Sequence, residues 1–152
     1  MRKTLSDYLT NKQCDDTYLL HCDMFPYRVP NEINLGIQEP NMVNVASGLA
    51  LQDKIVYVYG ICGFVIHKSY EQMRLSLKRD DGCVIFVNAG ANGCYASNGI
   101  GHTINDDFEI CQRLNIETFE PENAKEFSKL IQRLEKRKGV FWVRLGWDET
   151  PR

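Results

Sequence analysis

The residues of this sequence that could do chemistry are a glutamate before an apolar helix, a histidine in a glycine-rich loop and six cysteines. In GIQEPNMVNVASGLALQ (Gly36–Gln52), Glu39 follows a turn-like Gly36. It precedes Met42, Val43, Val45, Ala46, Leu49 and Ala50, which recur at the three- and four-residue steps of one helical face. A glutamate in the first turn of a helix is ordinarily a solvated charge that complements the dipole. A carboxyl turned into an apolar cleft has a raised pKa instead, and can share its proton with a neighbouring base. Position alone leaves both readings open. His102 lies in NAGANGCYASNGIGHTIN (Asn88–Asn105), where, taken singly, a surface histidine is the plainer reading. Phe64, in GICGFVIHKSYEQ, reads in isolation as core.

The cysteines are Cys14, Cys22, Cys62, Cys83, Cys94 and Cys111. None forms a C-x-x-C pair, and none has zinc-ligand spacing to a histidine apart from His21 beside Cys22. Several sit in apolar runs, such as Cys83 before Val84, Ile85, Phe86 and Val87, so buried free thiols of a reducing compartment account for them better than metal or disulfides. Glycines 90, 93, 99 and 101 make no phosphate loop, and no G-x-G-x-x-G opens a helix. Nucleophile-elbow and H-E-x-x-H patterns are absent too.

These residues must be positioned by alternating strands and helices. Short β-branched and aromatic runs predict strands at Thr17–His21, Lys54–Tyr59, Cys83–Val87, Ile116–Phe119 and Val140–Leu145. Helices are predicted near Pro40–Leu51, Val65–Lys78, Asp106–Leu114 and Glu122–Arg137, the last with Phe127, Leu130, Ile131 and Leu134 on one face and Gly139 after its end. Such alternation predicts a mainly parallel sheet covered on both faces, with ligands bound at the loops after the strands' carboxyl ends. Asn88–Asn105 follows a predicted strand, so it is expected on the ligand side, and structureless loops of that length are functional or disordered.

The chain has 152 residues, 43% hydrophobic and 25% charged, which fits one soluble domain burying about 70% of its unfolded surface without a staple. A net charge of −2 without a basic block argues against nucleic acid or an anionic membrane as partner. MRKTLSDYLTNKQ lacks the long apolar core of a signal peptide, and no run approaches spanning length, so a cytoplasmic location is expected.

Taken together, the pieces resemble the pyrimidine-binding domain of transketolases and their thiamine-diphosphate relatives. That pattern runs R-x-x-x-x-G-I-x-E-x-x-M-x-x-x-A-x-G-L-A, a strand, then F-x-x-F-x-x-x-R-A-x-E-Q-x-R. Gly36, Ile37, Glu39, Met42, Ala46, Gly48, Leu49 and Ala50 match its first part. Phe64, Glu71, Gln72 and Arg74 match the second, with Lys68 where an arginine is usual and Ile61 for the first phenylalanine. Residues 97–103 with Asp106-Asp107 look like the family's G-x-D-G-x-T-H-Q-x-x-E-D, and VFWVRLGWDETP resembles its closing P-x-Y-x-R-L-x-R-x-x-x-P.

The resemblance implies a three-layer α/β sandwich of the thiamine-diphosphate-binding fold, one pyrimidine-binding domain over residues 1–152. It implies that Glu39 hydrogen-bonds N1′ of the aminopyrimidine, favouring the tautomer that activates the thiazolium. Phe64, Ile61, His67 and Asp23 would line the cofactor, and His102 and Trp147 the substrate. The chain has no G-D-G motif, and it stops where a transketolase C-terminal domain would begin. The family pattern therefore implies half of a split enzyme. The magnesium ligands and the diphosphate grip would belong to a partner subunit, with self-association in an α2β2 assembly.

The activity so implied is transfer of a two-carbon unit between sugars or related carbonyl compounds. The alternatives are the beta-type subunit of a 2-oxo acid dehydrogenase or decarboxylase, and a degenerate, non-catalytic assembly domain. Where transketolases grip a sugar phosphate with basic residues, the matching positions read Trp147 and Gly90. Losing charge-assisted donors weakens phosphate binding sharply. An acceptor without a terminal phosphate is expected, such as a sugar carried on a nucleotide.

Overall fold

The computed structural model describes residues 1–12, 14–77 and 82–146. In chain order the elements are α1 (Arg2–Lys12), β1 (Thr17–His21), β2 (Glu32–Asn34), α2 (Glu39–Ala50), β3 (Ile55–Ile61), α3 (Cys62–Lys68), α4 (Tyr70–Ser76), β4 (Cys83–Ala89), α5 (Asp107–Arg113), β5 (Glu117–Phe119), α6 (Ala124–Leu134) and β6 (Gly139–Leu145). The strands form one six-stranded sheet in the order β2-β1-β3-β4-β6-β5, and each pairing is parallel.

Parallel strands buried on both faces need apolar residues at successive positions, as β4 supplies with Cys83–Ala89 buried throughout. Val84 and Phe86 face one layer with Val56, Val58 and Trp142, against Met42, Val43 and Ala46 of α2, Val65 and Ile66 of α3, and Cys111 of α5. Ile85 and Val87 face the other, with Tyr57, Phe141 and Val143, against Leu5 and Leu9 of α1 and Phe127, Ile131 and Leu134 of α6. The result is the expected three-layer sandwich.

Sequence order reverses beside β1: the chain leaves it outward to β2, then returns to its other side as β3. A reversal of that kind opens a crevice at the carboxyl ends of the two strands. The turn leaving β1, the start of α2 and the start of α3 all converge there.

Three expectations need correction. The helix expected over Val65–Lys78 is two helices, broken at Ser69, and the first begins at Cys62 directly off β3. Glycine permits that abrupt turn, since a Cβ on Gly60 would lie 2.5 Å from Val65 Cγ2. The stretch read as structureless includes the last two residues of β4 and short 3-10 turns at Ala91–Gly93, Ala96–Asn98 and Ile100–His102. The last helix starts at Ala124, where the Asn123 side chain caps it by accepting from the Glu126 N–H at 3.0 Å. Of the thiols, Cys14 is half-exposed and the other five are buried.

Candidate functional site

Glu39 is the first residue of α2, with Pro40 behind it, as the helix-start reading expected. It is not a solvated charge: the residue is 6% exposed. The turn before it is built by Asn34, whose Oδ1 accepts from the N–H of Gly36 at 3.0 Å and of Asp23 at 3.2 Å. Gly36 has φ +67, a conformation a side chain would strain. Asn34 Nδ2 donates back to Asp23 Oδ1 at 2.6 Å. Asp23 is exposed and joins the exits of β1 and β2.

Across the crevice, α3 carries Phe64 half-buried and Lys68 one turn further on. The Lys68 ammonium lies 3.0 Å from Glu39 Oε1 and 4.5 Å from the centre of the Phe64 ring. Its side chain is 45% exposed and that of Glu39 only 7%, so the flexible cation closes the mouth over a fixed carboxylate. His102 also stands against Phe64, ring centroids 4.8 Å apart and planes at 65°. Tyr95 stands beyond it at 6.4 Å. The loop after β4 is thereby laid against α3.

Beneath the ion pair, Cys22 Sγ donates to Met42 Sδ at 3.7 Å, and burial holds its thiol above the ordinary range. Burial does the same, more strongly, for Cys62 at the first turn of α3. A Cβ on Gly90 would lie 2.9 Å from Cys62 Cβ. A side chain at position 90 therefore has no room while Cys62 opens that helix.

Glu39, Phe64 and His102 thus come together, Lys68 joining Glu39 to Phe64 and the Phe64 ring meeting His102. Ile61 is buried as the residue capping α3. His67 is exposed, its Nε2 3.4 Å from Asp106 Oδ1, bridging α3 to the end of the loop. Trp147 lies outside the described residues. Among the described residues, no group of three His, Cys, Asp or Glu side chains could hold a metal ion, and no helix is long and apolar enough to cross a membrane. Lys68 was visible in the sequence only as a departure from arginine; its i+4 spacing from Phe64 was the signal for the shared face.

No family model matches the chain. It is 27% identical over 128 residues to one subunit of an apulose-4-phosphate transketolase of Actinobacillus succinogenes, covering 84% of this chain and 40% of that protein. It is 24% identical over 123 residues to a 6-deoxy-6-sulfo-D-fructose transketolase subunit of a Clostridium species, covering 80% and 38%. The chain spans about two fifths of the curated relatives it matches. A split-gene transketolase, described as an inactive beta4 tetramer, superposes with a TM-score of 0.79 at 22% identity over 99% of this chain and 52% of the other. The Campylobacter jejuni transketolase gives 0.83 at 15% identity over 95% and 25%. The chain is transketolase-like, and its sandwich is the fold of those enzymes.

Proposed function

We propose that this chain is the pyrimidine-binding part of a split, transketolase-like enzyme that moves a two-carbon ketol unit between sugars or related carbonyl compounds. The observation that carries the reading is Glu39: a buried carboxylate at a crevice mouth, with the Phe64 face and His102 beside it.

These residues fit an aminopyrimidine. The Glu39 carboxylate is shielded from bulk water yet reached by a half-exposed side chain, so a ring nitrogen entering from solvent could share a proton with it. Phe64 offers a face for an offset stack, about 1 kcal/mol beyond its burial. When bound, thiamine diphosphate supplies a carbon nucleophile and an electron sink for breaking a bond beside a carbonyl. His102, on the loop side, would pass a proton to and from a substrate oxygen. Ile61, buried at the start of α3, would back the cofactor's ring, while Asp23 and His67 hold the surrounding turns through Asn34 and Asp106.

The diphosphate and its magnesium ion are assigned to a partner subunit, in an assembly where this chain also meets its own copy. The transketolase subunits among its relatives favour ketol transfer over 2-oxo acid oxidation. Calorimetry tests the division of labour. The chain alone should bind thiamine diphosphate with magnesium no tighter than about millimolar, and clear binding should appear once a diphosphate-binding partner is added. Micromolar binding to the single chain would contradict it.

A further inference from the structure

Lys68 is placed by the geometry where the proposed ligand must go. Its ammonium takes the Glu39 oxygen at 3.0 Å and the Phe64 face at 4.5 Å. A ring nitrogen bonded to Glu39 and a ring stacked on Phe64 need the same two surfaces. One cation therefore touches both halves of the recognition surface, and a flat heterocycle taking up both would compete with it there.

We propose that Lys68 is a positioning and affinity-setting residue: a stand-in counterion that holds the Glu39 carboxylate and shields the Phe64 ring until an aromatic nitrogen heterocycle displaces it. This rests on the reading of Glu39 and Phe64 as the ring-binding surface. The lysine stem is well suited to leave. Its side chain is 45% exposed, it stands in the last turn of α3, and a single ammonium contact has none of the bidentate geometry an arginine would bring. While in place it keeps a buried carboxylate paired, which an unpartnered Glu39 would otherwise lack. The cost of moving it is correspondingly small, since half-exposed ion pairs and surface cation–π contacts are each weak.

The test uses the whole chain and 4-amino-5-hydroxymethyl-2-methylpyrimidine as probe, its binding followed by the ring signals of Phe64 and His102 in NMR titrations. Lys68→Met should bind the probe about three- to thirty-fold tighter than the unsubstituted chain, the range the two lost contacts span. Lys68→Arg, which can keep both contacts, should not tighten binding. Thermal melting should be shared by all three, separating displacement from loosening of the fold. In Glu39→Gln the gain from removing Lys68 should largely vanish. Equal or weaker binding by Lys68→Met, with Glu39→Gln still weakening the probe, would overturn the stand-in role and leave the ring-binding reading intact. Probe binding absent from every variant, or indifferent to Glu39, would overturn that reading and the role of Lys68 with it.

Discussion

The His102 ring stands edge-on to the Phe64 ring at 4.8 Å between centroids, although one belongs to the loop after β4 and the other to the helix after β3. The loop after β4 is thus registered against α3 by an aromatic contact, beside the His67–Asp106 pair. A Cβ on Gly101 would sit 3.9 Å from Phe64 Cε1, ordinary contact distance, so the loop backbone also follows the ring closely.

The two rings should separate on mutation. In the assembled enzyme, His102→Ala should lower kcat by about 10²–10⁴-fold, the usual worth of a positioned proton carrier, with cofactor affinity changed little. Phe64→Leu should do the reverse, weakening the cofactor by about tenfold or less with a smaller effect on kcat. A parallel loss of both quantities in both variants would mean that the pair only holds the loop in place.

A buried network behind the site should govern stability. Asp107, fully buried, accepts from Trp142 Nε1 at 3.0 Å and from Arg144 Nη1 at 2.9 Å, while Arg144 also reaches the more exposed Glu120 and lies over the Phe108 ring. Asp107→Ala should cost about 3 kcal/mol, because it leaves a buried donor and a half-paired guanidinium. Glu120→Ala should cost under about 1 kcal/mol. The midpoints of urea unfolding, at unchanged slope, check the difference.

Acid should weaken the turn that carries Asn34. Burial alone pushes the Glu32 carboxyl up, yet hydrogen bonds from His21 and the Val29 N–H, with the Arg28 cation, outweigh it and hold the pKa below the ordinary 4.5. The Phe25 N–H points at His21 Nδ1, leaving Nε2 to donate to Glu32 at 2.9 Å. A lowered folded-state pKa contributes stability above the unfolded value and loses it as pH falls through the folded one. Glu32→Gln should therefore be less stable than the unsubstituted protein at pH 6, with the gap narrowing as pH falls below 4.5. A gap that does not narrow at all in acid would assign the effect to packing instead.

Much of this could be read from the residues, and the failures have physical causes. β4 and α6 were plain because burial on both faces demands an unbroken apolar run and a bundled face demands a 3.6-residue period. α1 was missed because it buries little beyond Leu5, Ser6 and Leu9. β2 is three residues at a sheet edge, too short to alternate. The break at Ser69 is tertiary, since its neighbours alone would continue the helix. In the site, the burial of Glu39 could not be told from its place in the first turn. Its pairing with Lys68 joins residues that share no element, so nothing local announces it.

On the proposed function, positions 90 and 147 bear on substrate choice. Gly90 cannot carry a phosphate-gripping side chain against Cys62, and the sequence has tryptophan at position 147. The assembled enzyme should prefer an acceptor without a terminal phosphate, and Trp147→Arg should improve use of phosphorylated aldoses. In competition between matched aldoses, a phosphorylated one winning by tenfold in kcat/KM, about 1.4 kcal/mol, would contradict this.

The most direct test of the central claim is deuterium exchange at thiamine C2 in the assembled complex carrying Glu39→Gln. The amide is nearly isosteric but cannot share a proton as a carboxyl does. The variant should fold with an unchanged melting profile, and C2 exchange should fall by about two or more orders of magnitude. Exchange at close to the unsubstituted rate in a correctly assembled Glu39→Gln complex would contradict the assignment of Glu39 as the group that activates the cofactor.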